Sequence, residues 1–367
     1  MGVGNCPREL VPRAALGTVS HESGSPDATR VIPGYHHLGD PLGEQRRFFD
    51  GNAVIALTEH HVVSVSGPDR LTWLDSLSSQ LLVGLPAHHT TESLILSPQG
   101  RVEHRFLLVD DGETSWLLTE PGTAEPLLAW LDKMTFRGDI HKTNHSDDMA
   151  VYALWGTADD ATLTFPDDSV VWRDPWPGVE SGGFAYSEPD HPGAGFSLAY
   201  VAIPAGDDTF SGRERAGAWV LDAAEIRAGR PSVLGEVDAK TLPHEVDWLR
   251  TAVHLNKGCY RGQETVAKVH NLGHPPRRLV LLHLDGSDSS LPDPGCEVMV
   301  GDKTVGYVTR AATHHEWGPM ALALIKRTVP GDEPLTVVVG DTAVAASQEV
   351  LVTPDAGRVN APKLPGK

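Results

Sequence analysis

The chain has 367 residues, 40% of them hydrophobic, and a formal charge of −19 at pH 7. This length exceeds one typical domain and suggests two or three, and the hydrophobic content is ordinary for a soluble globular protein. The acidic balance argues against a nucleic-acid-coating surface, which needs a basic footprint, and the three cysteines, Cys6, Cys259 and Cys296, cannot build a disulfide framework, so a reducing cytoplasm is the expected compartment.

Residues 1–34, with scattered Gly, Pro and Ser, read as a tail, and 35–48 carry turn signals and read as a docking arm, so 1–48 is set apart from the core. The N-terminus lacks the apolar region of a secretory signal. No stretch approaches the roughly 18 apolar residues of a membrane span, so no membrane partner is expected. The core is expected over 49–276. Its first part, 49–140, opens with short strands at 53–57 and 62–65. A helix follows Gly67-Pro68-Asp69, with Leu71, Leu74, Leu77 and Leu81 on one face. Strands at 93–97, 102–109 and 116–119 and a helix at 124–136 complete it. Hairpins mixed with helices predict an α+β layer structure, and the absence of Gly-x-Gly-x-x-Gly or a Walker loop gives nucleotide folds no support.

The second part, 141–240, holds strands at 151–155, 169–172 and 199–203. A helix at 216–228 is expected to bury Trp219, Val220, Ala223 and Ile226 and to stop at Gly229 and Pro231. A further helix, 244–255, leads into a loop within the segment 241–276. The third block, 277–355, carries six short strands with Gly, Pro and Asp turns, which predicts a small antiparallel barrel. The segment 356–367 carries no core signal.

The most informative stretch is Lys257-Gly258-Cys259-Tyr260-Arg261-Gly262-Gln263-Glu264. It sets a lone thiol between two cations, and Lys257 and Arg261 both favour thiolate over thiol at Cys259. Glycines at 258 and 262 suggest a tight turn or close approach. From 254 to 278 there are five Lys or Arg and one Glu, a local reversal of sign in an acidic chain. The 18 histidines include adjacent pairs at 60/61, 88/89 and 314/315. Neighbours on a strand point to opposite faces, so such pairs are poor chelators, and no metal site is expected. With no Cys-x-x-Cys pair, a resident iron–sulfur cluster, which usually needs four ligands, is not expected either.

The string Lys-Gly-Cys-Tyr-x-Gly-Gln-Glu resembles the signature of YgfZ-type proteins, folate-binding relatives of the glycine-cleavage T-protein (aminomethyltransferase) family. The resemblance runs from about residue 35 to about 355. It implies a T-protein-like multidomain α+β core with a C-terminal β-barrel. It also implies a cytoplasmic factor that binds tetrahydrofolate or another reduced folate. Such a factor acts in assembly, maintenance or repair of iron–sulfur enzymes, tRNA-modifying ones included. Its partners would be the folate and iron–sulfur client or assembly proteins, with no direct nucleic-acid binding.

By the same resemblance the functional thiol is Cys259, flanked by Lys257 and Arg261. The folate set is Glu245, Lys257, Tyr260, Gln263 and Arg278. T-proteins carry a Pro-x-Glu whose glutamate holds the pterin, matched here by Pro243-His244-Glu245. A carboxylate is chemically suited to the donor–donor N3/2-amino edge of a pterin. Two departures weigh on the alternative, a tetrahydrofolate-dependent aminomethyltransferase or demethylase. The turn that supplies the catalytic aspartate in T-proteins reads Gln99-Gly100-Arg101-Val102-Glu103-His104. The Arg-Ile-x-x-Gly element reads Glu225-Ile226-Arg227-Ala228-Gly229. An accessory factor is therefore expected over an aminomethyltransferase. Whether the thiolate acts as nucleophile, soft metal ligand or oxidisable group stays open.

Overall fold

The computed structural model describes residues 37–136, 139–156, 164–287 and 291–359. The tail expected over 1–34, with Cys6, lies outside the described residues, as does the end of the chain after 359.

The segment read as an arm forms a helix, α1 (Pro41–Phe49). Asp40 caps it, accepting from the Gly43 N–H at 3.0 Å, and Pro41 sits in the first turn, where its missing N–H costs nothing. There follow β1 (Ala53–Ala56), β2 (His61–Ser66), α2 (Arg70–Leu77), β3 (Thr90–Leu96), β4 (Val102–Asp110), β5 (Thr114–Thr119), α3 (Ala124–Lys133) and β6 (His141–Asn144). Then come β7 (Met149–Trp155), β8 (Val170–Arg173), β9 (Leu198–Pro204), β10 (Glu214–Ala216), α4 (Trp219–Arg227), the short α5 (Val233–Glu236) and α6 (Gln263–Asn271). The last six strands are β11 (Arg277–Leu284), β12 (Glu297–Val300), β13 (Lys303–His314), β14 (Gly318–Lys326), β15 (Leu335–Val339) and β16 (Thr342–Val350).

These strands make two five-stranded sheets, ordered β10-β1-β7-β9-β8 and β3-β4-β5-β2-β6, and a closed barrel ordered β11-β14-β13-β12-β15-β16. Alternation along each strand divides the apolar residues between layers. In β2, Val63 and Val65 face α2 and α3, packing with Leu74, Leu127 and Leu131. Val62 turns the other way, into the central core, which also holds Ile55, Ala153, Tyr200 and the outer barrel residues Leu279, Leu281 and Leu322. Val280, Leu282 and Ala323 fill the barrel interior instead. The barrel is thus docked by one face of β11 and β14 while closed around the other.

Three sequence expectations are corrected. The apolar spacing of Val246, Leu249 and Val253 does not make a helix over 244–255. Only Pro243–Val246 forms a 3-10 turn, because Asp247 adopts φ +57°, a left-handed conformation that ends regular winding. The helix here is α6, after the cysteine. Trp219 is 44% exposed rather than buried; it heads α4, and the ring of His37 lies 4.9 Å from its own. α2 ends at Leu77, so Leu81 falls beyond it and is exposed. Beyond these three, β1 does not pair with its sequence neighbour β2. It joins β7 and β10, nearly 100 and 160 residues downstream, so the two parts of the core interleave.

Candidate functional site

The Cys259 loop is held from both ends. Downstream, Gly262 takes φ +86°, and a Cβ there would stand 2.6 Å from the Ser97 carbonyl oxygen and 3.0 Å from the Gly100 Cα. Gly100, at φ +74°, would put its own Cβ 2.9 Å from that of Thr265. The β3–β4 turn and the start of α6 therefore meet backbone to backbone, at a distance only glycine permits. Upstream, the Gln263 side-chain amide donates to the Lys257 carbonyl at 3.2 Å and closes the loop on itself. Cys259, free of any disulfide, is left exposed at its crest.

Neither flanking cation is directed to the thiol. The Lys257 side chain is fully enclosed. Its ammonium donates to the carbonyls of Asp75, Ser78 and Gln80 at 2.6, 2.8 and 2.7 Å, with the Asp75 carboxylate 3.2 Å away. Burial lowers its pKa, and Asp75 works against that shift. The three carbonyls belong to the end of α2 and the turn after it, where a cation is favoured. Arg261 reaches across to Glu103, Nη1 to Oε2 at 2.6 Å, and its guanidinium lies 6.0 Å from the Trp130 ring. His104, next to Glu103, faces Trp130 at 6.2 Å, and burial lowers its pKa. Tyr260 is buried under the loop, its ring 5.4 Å from the Lys257 ammonium, and burial pushes its phenol up.

Glu245 is placed deeper. Its side chain has no exposure and accepts four hydrogen bonds. Arg277 donates Nε and its backbone N–H to Oε1 at 3.1 and 3.2 Å and Nη2 to Oε2 at 2.8 Å; the Leu242 N–H completes the set at 3.2 Å. Arg277 also grips Asp238 at 2.6 and 3.1 Å. Burial disfavours the Asp238 carboxylate, but those bonds outweigh it and hold its pKa at about 2. His244, beside Glu245, is buried and shares a 3.1 Å hydrogen bond with the Val266 carbonyl.

Arg278 faces the other way. On β11 it alternates with Arg277 and points into the barrel, donating to the Val329 carbonyl at 3.0 Å and to Gln348 at 2.7 Å, with burial lowering its pKa to about 10. The run of cations seen in the sequence is therefore not an open basic patch. Lys257, Arg261, Arg277 and Arg278 are all engaged within the chain, and Lys268 is exposed. The structure brings Lys257, Cys259, Tyr260, Arg261 and Gln263 together with Glu103. Glu245 sits on the neighbouring turn, and Arg278 belongs to the barrel interior.

No family model matches the chain. A putative transferase of Arabidopsis thaliana, chloroplastic, is 24% identical, the match covering 80% of this chain and 69% of that protein. The iron–sulfur cluster assembly factor IBA57 homolog, mitochondrial, of Mycosarcoma maydis is 26% identical over 60% of this chain, and the chain spans only 54% of that relative. The crystal structure of glycine cleavage system aminomethyltransferase T from Bartonella henselae shares the fold, with a TM-score of 0.67 over 84% of this chain and 88% of that one at 16% identity. The chain is thus similar in sequence to these two relatives and shares the fold of the aminomethyltransferase.

Sequence reasoning missed Arg277, Asp238 and Asp75. Arg277 had a visible signal, since it adjoins Arg278 at the start of the first barrel strand and only one of two consecutive strand residues can face the barrel interior. Asp75 had none, because its role comes from where α2 ends. Among the described residues no helix is long and apolar enough to cross a membrane, and no cluster of three metal-ligating side chains occurs.

Proposed function

We propose that this chain is a folate-binding factor in the assembly, maintenance or repair of iron–sulfur enzymes, tRNA-modifying ones included, with Cys259 as its exchange group. The observation that carries this is the exposed thiol at the crest of a loop fixed by Gly262, Gln263 and the buried Lys257 ammonium. A rigid, accessible thiol suits transient transfer to a partner protein better than turnover in a closed site. Support also comes from the likeness to the iron–sulfur cluster assembly factor homolog.

The fit to a reduced folate is tested by Glu245. Its two oxygens accept from Nε and Nη2 of Arg277, a two-donor edge of the same kind as the N3–H and 2-amino groups of a pterin. The carboxylate thus suits that edge, and Arg277 occupies it as an internal counterpart. A pterin takes the place of Arg277 there, while Arg277 keeps Asp238. The folate supplies a carrier for one-carbon units or a redox-active ring. Of the remaining residues the resemblance assigns, Tyr260 and Gln263 shape the loop, Lys257 braces it, and Arg278 supports the barrel.

The alternative is an aminomethyltransferase of T-protein type. Against it, Glu103 is neutralised by Arg261 at 2.6 Å and is not held ready for proton transfer. The two readings separate in cells lacking their own copy, with aconitase-type and tRNA-thiolation activities as readouts. Cys259→Ser, which keeps size and removes the thiol, fails to restore them, whereas Glu103→Ala restores them largely. Full rescue by Cys259→Ser, or complete loss with a folded Glu103→Ala protein, sinks the proposal in favour of the enzyme.

A further inference from the structure

A second site lies elsewhere on the molecule. A cleft of about 690 Å³ opens between the end of α1, the end of β7, the 192–196 turn, the end of α4 and the β13–β14 hairpin. None of its lining residues belongs to the Cys259 loop, the β3–β4 turn or the Glu245 turn. Its volume falls within the range of small-molecule sites, roughly 300–1,000 Å³.

Two kinds of side chain converge on it. Aromatic rings form the walls. Phe49 stacks on His314 and His315 at 5.5 and 5.2 Å and meets Trp155 edge-on at 4.8 Å, while Phe196 backs Trp155 at 5.5 Å. Trp317 is 51% exposed at the mouth, with the Arg227 guanidinium 4.2 Å from its ring.

Hydrogen-bond donors form the second kind. Nη1 of Arg227 is buried with no partner, a state that costs free energy unless something accepts from it. Nδ1 of His315 is likewise buried and unpartnered, and donates in the tautomer that carries its proton there. In His314, Nδ1 accepts from the Glu316 N–H at 3.1 Å, which leaves the proton on Nε2 as a further donor. Arg46 adds an exposed cation. Asp50 and Glu316 also line the cleft, and both are exposed, at its rim.

We propose that this cleft binds a planar heteroaromatic ring bearing a carboxylate or phosphate, the ring lying against Trp317 and Trp155 and the anion meeting Arg227 and Arg46. An anion there accepts from the buried Nη1 of a half-buried guanidinium, a charge-assisted bond, and a flat ring extends the aromatic wall by offset stacking. The inference does not depend on the folate reading, because it rests on different residues.

The test is calorimetric titration of the full chain with two probes, nicotinate for a carboxylate and adenosine monophosphate for a phosphate. At least one binds with one-to-one stoichiometry. Arg227→Met weakens it by about tenfold or more, Arg46→Ala weakens it several-fold, and Cys259→Ser leaves it unchanged. Arg46 is exposed, so its variant stays informative if Arg227→Met folds poorly. Failure of both probes to bind below about 1 mM overturns the proposal, as does binding indifferent to both arginine variants. If reduced-folate affinity falls with Glu245→Gln while neither nicotinate nor adenosine monophosphate binds, this cleft is overturned while the folate reading survives.

Discussion

Arg261 and Glu103 close a 2.6 Å ion pair between the cysteine loop and β4. The arginine that reads in sequence as a thiolate-stabilising neighbour is thereby turned toward a carboxylate. Removing that carboxylate frees the guanidinium beside Cys259. Glu103→Gln is therefore expected to speed alkylation of Cys259 by iodoacetamide at pH 7. In the unaltered protein Cys259 reacts before Cys296, which packs against the barrel core. The pair is about one-third exposed, so its loss costs at most about 1 kcal/mol of stability. An unchanged alkylation rate with Glu103→Gln counts against any influence of Arg261 on the thiol.

Lys257 predicts the opposite balance. Lys257→Met leaves three carbonyls at the end of α2 without their donor, and is expected to cost about 3 kcal/mol. Urea unfolding reads this as a lower midpoint at constant slope. A loss below about 1 kcal/mol means those carbonyls find other donors.

Glu245→Gln tests both the core and the ligand. Arg277 loses half of its paired charge in a buried place, and a cost of about 3 kcal/mol follows. Reduced-folate affinity falls several-fold, because the amide no longer accepts at both atoms. Unchanged affinity in a folded variant places the pterin elsewhere.

The pH dependence of stability follows from burial. His60 and His314 are held at about 4, and His191 and His244 at about 3, against 6.5 for a free imidazole, in each case chiefly by desolvation. Below pH 6.5 the unfolded chain takes up these protons and the folded chain does not, so stability falls as pH drops toward 4. Glu225, raised by burial to about 7, and Asp247, raised to about 6, oppose this, since the folded chain binds their protons first. Four groups outweigh two, and the protein is less stable at pH 5 than at pH 7. His244→Gln flattens the dependence by up to about 1.4 kcal/mol per pH unit. Unfolding free energies measured at pH 5, 6 and 7 decide it, and an unaltered slope means His244 is not kept neutral.

Gly100 and Gly262 are expected to fail together. Each substitution to Ala is strained by positive φ and by a Cβ contact under 3.0 Å. Because both relieve strain by separating the same two backbones, the double variant costs less than the sum. Strict additivity in a thermal or urea double-mutant cycle refutes the shared contact.

How much of this was legible in the sequence depends on the range of the forces involved. The barrel strands were readable because alternation is local: Val280 and Leu282 inside, Leu279 and Leu281 outside. The loop around Cys259 was readable as a tight turn from its glycines. Helix α6 was not, since Thr265, Val266 and Val269 are weak helix formers and it begins on a left-handed glycine. The pairing of β1 with β7 and β10 was beyond reach, because nothing in Ala53–Ala56 names its partners. The charges misled for a related reason: a sequence shows that Lys257 and Arg261 flank a cysteine, but not that Asp75 and Glu103 wait on other elements to take them.

The two arginines that open β11 part to opposite sides of the strand, one clamped to the Glu245 and Asp238 carboxylates and one anchored within the barrel wall. They make this strand a latch. Any swing of the barrel away from the core must first pull Arg277 out of a carboxylate pair, and Arg278 ensures that the strand moves with its barrel rather than peeling from it. A molecule that competes for Glu245 would release only part of one clamp, since Arg277 keeps Asp238 and Arg310 of β13 holds Glu225 and Glu236 of the core as well.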